Sequence, residues 1–491
     1  MDYLDPKKQR QHTIFLTVGY VLVTIAILAA VRLLLDMAYG YGINNKGQII
    51  QNGFVFVSSQ PHPAQIYING KPDKTHTNTR LTLAAGRYTL QLKRSGYRDW
   101  QRSVAVNGGD VQHFDYPLLF PNTLAATTLR AYSAAPGLAT QSPDQRWLLV
   151  EQAGSPTDFD LYDLKNPSQA PLALSLPTSL LAKGSDQSWK AVEWADDNRH
   201  VLLEHVHDGA SEFVVLDRQN PDQSVNLNTT FTNNPTSVSL NDKKYNQYYL
   251  FNSGQHLLQT ASLKPPAVTT YLEGVLAYKS YANNTMLYAT EQAASAGKVS
   301  IRMQVGAKTY PIREVAPGGY YPLELTQYSG TLYVVVGSTA ENRVYIYQDP
   351  VGQVSSKPKT LPAPIRALRL AGASYASFSK NTQFIMAEAG QAVAVYDILN
   401  NRSYNFNLTK PIDSPQLHVN WIDGDRLAYV SGGNLVVLDY DSSNLQTLMP
   451  AAPGFLPFFA PDYKYEYGLE SVQSQPTYNL AQTALRIPAD L

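Results

Sequence analysis

The densest group of chemically able side chains in this 491-residue chain is Glu204-His205-Val206-His207-Asp208. In a strand, His205 and His207 project to one face. A pair of imidazoles suits zinc or copper. No third ligand stands nearby in sequence, and Asp208-Gly209 is a hairpin-turn signal. The structural expectation is therefore a strand over 204–206, a turn at His207-Asp208-Gly209, and a return strand over 212–217. His205 and His207 are kept as metal-ligand candidates, while no resident metal and no cofactor are expected.

Other chemistries find less support. Serine catalysis needs a nucleophile on a strained turn with a histidine and an acid, and the chain has no G-x-S-x-G. The 9 histidines are scattered, and His418, just before a strand-like stretch at 419–421, is expected to pack. Paired carboxylates for glycoside cleavage meet in space, not in sequence. Asp144, Asp196, Asp242 and Asp462 recur at equivalent turn positions, however, and Asp163, Asp217, Asp397 and Asp439 at strand ends. Such repetition points to turn bonding. Pro317-Gly318-Gly319 lacks the lysine and helix of a phosphate loop, and Asp158-Phe159-Asp160 lacks the glycine and distal glutamate of a calcium loop. Tyr320, Tyr321, Tyr463, Tyr465 and Tyr467 have the chemistry to stack on sugar or peptide, but cross-strand packing is the expected role. No catalytic residue is expected, and the binding residues are unidentified.

The positioning elements begin with residues 14–35, IFLTVGYVLVTIAILAAVRLLL, apolar on every face. About 20 apolar residues in a helix span a hydrocarbon core of about 30 Å. Thr13, Thr17 and Thr24 can bond their hydroxyls back to the helix. Arg32 and Asp36, four apart, can pair, and Tyr39 and Tyr41 suit the interface. Lys7, Lys8 and Arg10 place the N-terminus in the cytoplasm by the positive-inside rule. A cleaved signal peptide is the rival, against which stand the long apolar core and the lack of an A-x-A site. The expected order is a cytoplasmic stub (1–13), a transmembrane helix (14–37) and a stalk (38–53).

Composition narrows the body. The length suggests roughly two to four domains. Formal net charge is +0 with 16% charged residues, which argues against a nucleic-acid partner, since that needs a basic field. With no cysteine there is no disulfide framework and no thiolate chemistry.

From residue 54 the pattern alternates with period two: Val55/Val57, Ile66/Ile68, Leu81/Leu83, Leu90/Leu92 and Val104/Val106. Turn signals such as Asn69-Gly70 and Ser95-Gly96 separate these runs, predicting a β-sandwich of about six or seven short strands. The pattern formed by Ser59, Pro61, Ala64, Ile66, Ile68, Asn69 and Gly70, then Gly86, Tyr88, Gly96, Tyr97 and Trp100, resembles the PEGA domain over residues 54–119. Pro63 stands where that family has glycine. The resemblance implies a small extracytoplasmic structural or interaction module with no catalytic residues.

A linker is read at 120–137. Beyond it one unit recurs: a polar turn, an apolar strand, a second turn, and an apolar strand often ending in aspartate. Eight copies start at Ser142, Trp194, Leu240, Ser280, Leu325, Phe378, Trp421 and Phe459. A period of roughly 40–50 residues is that of a four-stranded propeller blade. The Ser-Pro-Asp and Ala-Pro-Asp turns resemble the TolB-like propeller repeat. A β-propeller of about eight blades is expected over 138–491, with seven as the alternative. The final blade is completed either by 123–132 or by the C-terminal strand alone.

The fold class is thus all-β with one transmembrane helix, a PEGA-like sandwich and a propeller. The expected function is a single-pass, non-catalytic binding scaffold of the cell envelope, its body extracytoplasmic, with a protein or cell-wall glycan partner. The alternative is an envelope polysaccharide hydrolase or lyase with its site at the propeller channel.

Overall fold

The computed structural model describes residues 6–43, 49–357, 360–414, 416–471 and 477–491. Residues 1–5 of the expected stub, 44–48 of the expected stalk and 472–476 of the last repeat lie outside them. The chain divides into two compact units, 1–123 with 487–490, and 124–486 with Leu491.

The first unit opens with helix α1 (Pro6–Ala38). Residues 9–38 are long and apolar enough to cross a membrane, and no part of that apolar window is covered by protein. Its hydroxyls close on the backbone as the sequence predicts: Thr13 donates to Gln9 O at 2.9 Å, Thr17 to Thr13 O and Thr24 to Tyr20 O, both at 2.8 Å. Arg32 Nε donates to Asp36 Oδ2 at 3.1 Å.

Eight strands follow: β1 (Tyr41–Ile43), β2 (Ile49–Val57), β3 (Gln65–Ile68), β4 (Lys71–His76), β5 (Thr79–Ala84), β6 (Gly86–Lys93), β7 (Trp100–Val106) and β8 (Val111–Phe114). They form two four-stranded sheets, β1 and β8 on one side of β2 with β5 on the other, and β4-β3-β6-β7. One stretch departs from the sequence reading. The 38–53 stretch, expected as a stalk, holds β1 and the start of β2, where Ile43, Ile49 and Ile50 supply strand-forming side chains. Over 54–119 the sandwich has seven strands, β2 to β8, as the alternation predicts, and β1 is added to them from the stretch before. Alternation fills one core with Val55, Val57, Ile66, Leu90, Leu92, Trp100 and Val104. Asn69 (φ 50) and Gly70 (φ 77) make the two-residue β3–β4 turn, the left-handed pair that a type I′ hairpin needs. Residues 487–490 belong to this unit: Ile487 N donates to Tyr97 Oη at 3.0 Å, and Tyr97 Oη donates to Asp490 at 2.7 Å.

The second unit is a β-propeller of eight four-stranded antiparallel sheets. Blades 1 to 7 span 139–175, 188–226, 237–273, 275–315, 323–369, 375–407 and 420–450, and blade 8 spans 458–484. The eighth blade takes its outer strand from β9 (Ala125–Tyr132), paired from Tyr132–Tyr478 to Ala125–Ala484. The stretch expected as a linker at 120–137 therefore contains a strand, β9. Blade 8 uses both candidates, the C-terminal strand as its third and β9 as its fourth. An edge left open would expose a row of unpaired N–H and C=O groups.

Blades pack face to face through buried clusters. Leu149, Phe159, Leu203 and Val214 join blades 1 and 2, Leu202, Phe213, Tyr248 and Leu250 join 2 and 3, and Leu148, Val150, Tyr467 and Leu469 close 8 on 1. Asp160 of blade 1, 1% exposed, locks this closure. It pairs with Arg130 Nε at 2.9 Å and accepts from Tyr132 Oη at 2.9 Å, both on β9.

Candidate site at the propeller channel

The recurring aspartates bind the repeat to itself. Asp144 Oδ1 accepts from Arg146 N at 3.1 Å, Asp197 Oδ1 from Arg199 N at 2.9 Å and Asp462 Oδ1 from Lys464 N at 3.1 Å. The residue between is left-handed each time: Gln145 (φ 59), Asn198 (φ 53) and Tyr463 (φ 52). In blade 2 the turn acceptor is thus Asp197, one residue beyond Asp196, because only Asp197 reaches the N–H groups of Arg199 and His200. The basic residue two places on then clamps the aspartate that ends the third strand. Arg146 Nε donates to Asp163 at 2.9 Å, and Arg199 Nε to Asp217 at 2.7 Å. Glutamine replaces arginine in blade 6, where Gln383 donates to Asp397 at 3.1 Å. A bidentate guanidinium on a carboxylate fixes geometry strongly; Arg146 lowers the Asp163 carboxyl, and against the opposing effect of burial Arg199 with the N–H groups of Gln219 and Asn220 lowers that of Asp217.

His205 and His207 share a strand (His200–His207), and their rings stack at 5.5 Å. Asp208 (φ 46) and Gly209 (φ 78) form the hairpin turn, with the next strand starting at Ala210. His205 is 0% exposed. Its Nδ1 bonds Glu212 Oε1 at 2.8 Å, its Nε2 faces Gln187 Oε1 at 3.1 Å, and Trp189 packs on the ring at 4.6 Å. Both ring nitrogens thus face partners within the protein. Among the described residues, no three His, Asp or Glu side chains gather as a metal would require. His418 stacks on Tyr375 at 3.9 Å and bonds Glu388 through Nδ1 at 2.9 Å. Of the five tyrosines singled out by sequence, Tyr320 is open to solvent at 68% and Tyr467 is fully buried.

The ring offers a different feature that no local motif announced. A cavity of about 640 Å³ lies among the inner strands of blades 2 to 5, where each strand turns into its neighbour. Blade 2 supplies Val192 and Glu193, blade 3 Ser237, Ser239, Asp242 and Lys243, and blade 4 Tyr278 to Tyr281. Ion pairs stitch neighbouring blades beside it, and Asp196 adds a further carboxylate to its lining. Lys243 pairs with Glu193, which also accepts from Leu240 N, and Lys279 Nζ donates to Glu324 Oε1 of blade 5 at 2.6 Å. Burial pushes the Glu324 carboxyl up against the downward pull of Lys279. Ser239 and Tyr278 share a hydrogen bond at 2.9 Å between blades 3 and 4. Burial pushes the Tyr278 phenol up to about 12. Asp242 Oδ1 is buried without a partner, on a left-handed residue (φ 52).

Residues 52–119 match the PEGA domain. A comparison with curated proteins finds no match. Among solved structures, the chain is similar to Kluyveromyces lactis Hsv2, with 13% identity over 72% of this chain and 100% of that one at a TM-score of 0.39. It is likewise similar to the propeller domain of Myceliophteria thermophila Cps50 (Swd1), with 10% identity over 74% and 100% at 0.39. A third is an oligogalacturonate lyase in complex with manganese, with 13% identity over 74% and 93% at 0.39. These likenesses concern the fold alone.

Proposed function

We propose that this protein is a membrane-anchored, non-catalytic binding scaffold of the cell envelope. In this reading α1 crosses the membrane with its N-terminus in the cytoplasm, and the PEGA module and propeller stand outside. The propeller presents its channel end to a protein or glycan partner. One observation carries the reading: the channel end holds a formed cavity in which Glu193 pairs with Lys243, while Lys279 of its wall pairs with Glu324 beside it. Ligand sites are typically preformed concavities with a few placed polar groups. Cleavage of a glycoside by paired carboxyls needs an acid and a base free to exchange protons, and Glu193, Asp242 and Glu324 are each paired with a lysine.

The test is proximity labelling from the body of the full chain on intact cells, with wild type and Lys279→Glu compared. The scaffold reading expects a discrete partner lost in the variant. Labelling of bulk wall and lipid alone, the same in both, contradicts it. External protease on those cells should digest the body; full protection, once the envelope is shown permeable to the protease, overturns the orientation. A polysaccharide hydrolase or lyase is the second reading, favoured by Glu324, whose raised pKa suits a general acid. Turnover of a polysaccharide that disappears in Glu324→Gln would establish it.

A further inference from the structure

The PEGA module is hydrogen-bonded directly to the end of α1. Asn52 N of β2 donates to Gly40 O at 2.7 Å, and Gln51 Nε2 donates to Tyr39 O at 3.2 Å. Gly40 stands two residues beyond α1, where the apolar window ends. It is left-handed (φ 82), and a Cβ there would lie 3.5 Å from Phe54 Cζ. The Phe54 ring is therefore held at the depth of the helix end. From it a row of side chains runs across the sheet. Val55 and Val57 are buried in the core, so their alternates Phe54 and Phe56, both half-buried, face outward. β5 sets Thr82 opposite Phe54 and Arg80 opposite Phe56, and β8 sets Val111 and His113 beside the same pair. The Arg80 guanidinium lies over the Phe54 ring at 4.8 Å, and His113 stacks on Phe56 at 4.6 Å. Arg80, Thr82 and His113 are exposed, as is Val111 at 57%. Among the described residues Arg80 pairs with no carboxylate. Asp115, at the end of the row away from Gly40, pairs with His113 at 3.4 Å and accepts from Ser58 Oγ at 3.2 Å. Residues 54–119 hold 8 lysines and arginines against 4 aspartates and no glutamate, in a chain of net charge +0.

We infer that this outer face of the β2 sheet rests on the headgroup layer of the membrane that α1 crosses, with Phe54, Phe56 and Val111 at the interface and Arg80 on lipid phosphate. Contiguity names the occupant: the row starts against Gly40, at the level where α1 leaves the hydrocarbon. The side chains fit it, since aromatic and apolar groups with a cation among them make up membrane-surface elements. The sign of the charge fits as well, because a basic module is drawn to an anionic lipid surface. Strands rise about 3.3 Å per residue, so Phe56 stands about 7 Å from Phe54. That keeps it within reach of a polar layer about 5–8 Å thick in each leaflet. The inference rests on the reading of α1 as a membrane anchor and adds a second, peripheral contact to it.

The experiment is depth-resolved fluorescence quenching of the full chain in lipid vesicles. The chain has no cysteine, so single cysteines can each carry a bimane label. Labels on Thr82→Cys and Val111→Cys should lose about half or more of their emission to lipids with a nitroxide on the headgroup. A label on Ser103→Cys, exposed on β7 of the opposite sheet, should lose less than about a tenth, because the two outer faces of a sandwich point apart. Phosphatidylglycerol in place of phosphatidylcholine should deepen the quenching at Val111, and Arg80→Gln should remove that dependence. Unchanged melting temperatures would establish that the variants fold. Pure lipid vesicles hold no protein partner to cover the face. Silence at both Thr82 and Val111 therefore overturns the inference, as does equal quenching at Ser103. Quenching indifferent to lipid charge and to Arg80→Gln overturns the role of Arg80. Ile25→Cys, in the middle of α1, is read with a nitroxide deep in the acyl chain. If Ile25 is quenched and Val111 is not, this inference fails and the anchor stands; if neither is quenched, both fall.

Discussion

Replacing Asp160 with alanine should loosen the closure of the ring. The carboxylate is 1% exposed and receives Tyr132 Oη at 2.9 Å and Gln152 Nε2 at 2.9 Å, besides pairing with Arg130. Two of those partners sit on β9, the strand that completes blade 8. Breaking a buried pair from one side costs about 3–5 kcal/mol. Arg130 is 41% exposed, so water screens its share toward the ~1 kcal/mol of a surface pair. A hydrogen bond to a charged group contributes about 1.5–3 kcal/mol. Together these give about 2–4 kcal/mol for Asp160→Ala, or about 4–8 °C in Tm at about 2 °C per kcal/mol for a large domain. Asp160→Asn, which keeps an acceptor for Tyr132, should lose about half as much. Amide exchange read by mass spectrometry should rise first in 125–132 and 478–484, because local opening is drawn from the least supported ladder. A Tm within about 1 °C of wild type together with unchanged exchange in β9 would refute the closure argument.

Three further outcomes follow from the same structure. A Cβ on Gly53 would stand 2.4 Å from Val106 Cγ1 and 2.8 Å from Asn107 O; Gly53→Ala should destabilise the sandwich by about 1–3 kcal/mol, read by urea unfolding. Burial pushes the Glu151 carboxyl up to about 7, and burial with Asp423 repulsion does the same to Asp425. A raised carboxyl stabilises the fold fully below its unfolded value and loses that contribution as pH rises through the folded one. The Tm of the propeller should therefore fall between pH 5 and 8, with a shallower slope in Glu151→Gln and Asp425→Asn. Because both nitrogens of His205 are engaged, EDTA should leave the Tm unchanged, and a drop of several degrees restored by zinc would overturn that reading.

The sequence carried the fold further than the site, for a physical reason. Blade pattern is local: Asp144-x-Arg146 and Asp197-x-Arg199 report a turn and its clamp within blades 1 and 2, and the strand–turn–strand unit around such turns, recurring eight times, counts the ring. Copies from Leu240 and Ser280 look weak because blades 3 and 4 lack the arginine clamp, yet Tyr248, Tyr249, Met286 and Leu287 are fully buried there and hold the same sheets. Strand β9 was ambiguous because its partner lies about 350 residues away, and pairing that distant leaves no periodic mark of its own. The cavity draws on four blades, so no spacing announces it. One signal was present: Lys190, Glu193, Lys279 and Glu324 place charge on inner strands that are apolar or neutral in blades 1, 6, 7 and 8. That signal becomes readable only once the inner strands are known.

The most direct test of the account is site-directed photo-crosslinking of the full chain in its native membrane, with the photoreactive residue placed at Ser280 on the cavity wall or at exposed Leu172 and Leu399 on other faces. The account predicts a discrete adduct from Ser280, and none from the other two. Adducts from Leu172 or Leu399 alone, with Ser280 silent, would contradict the claim that the channel end is the binding face.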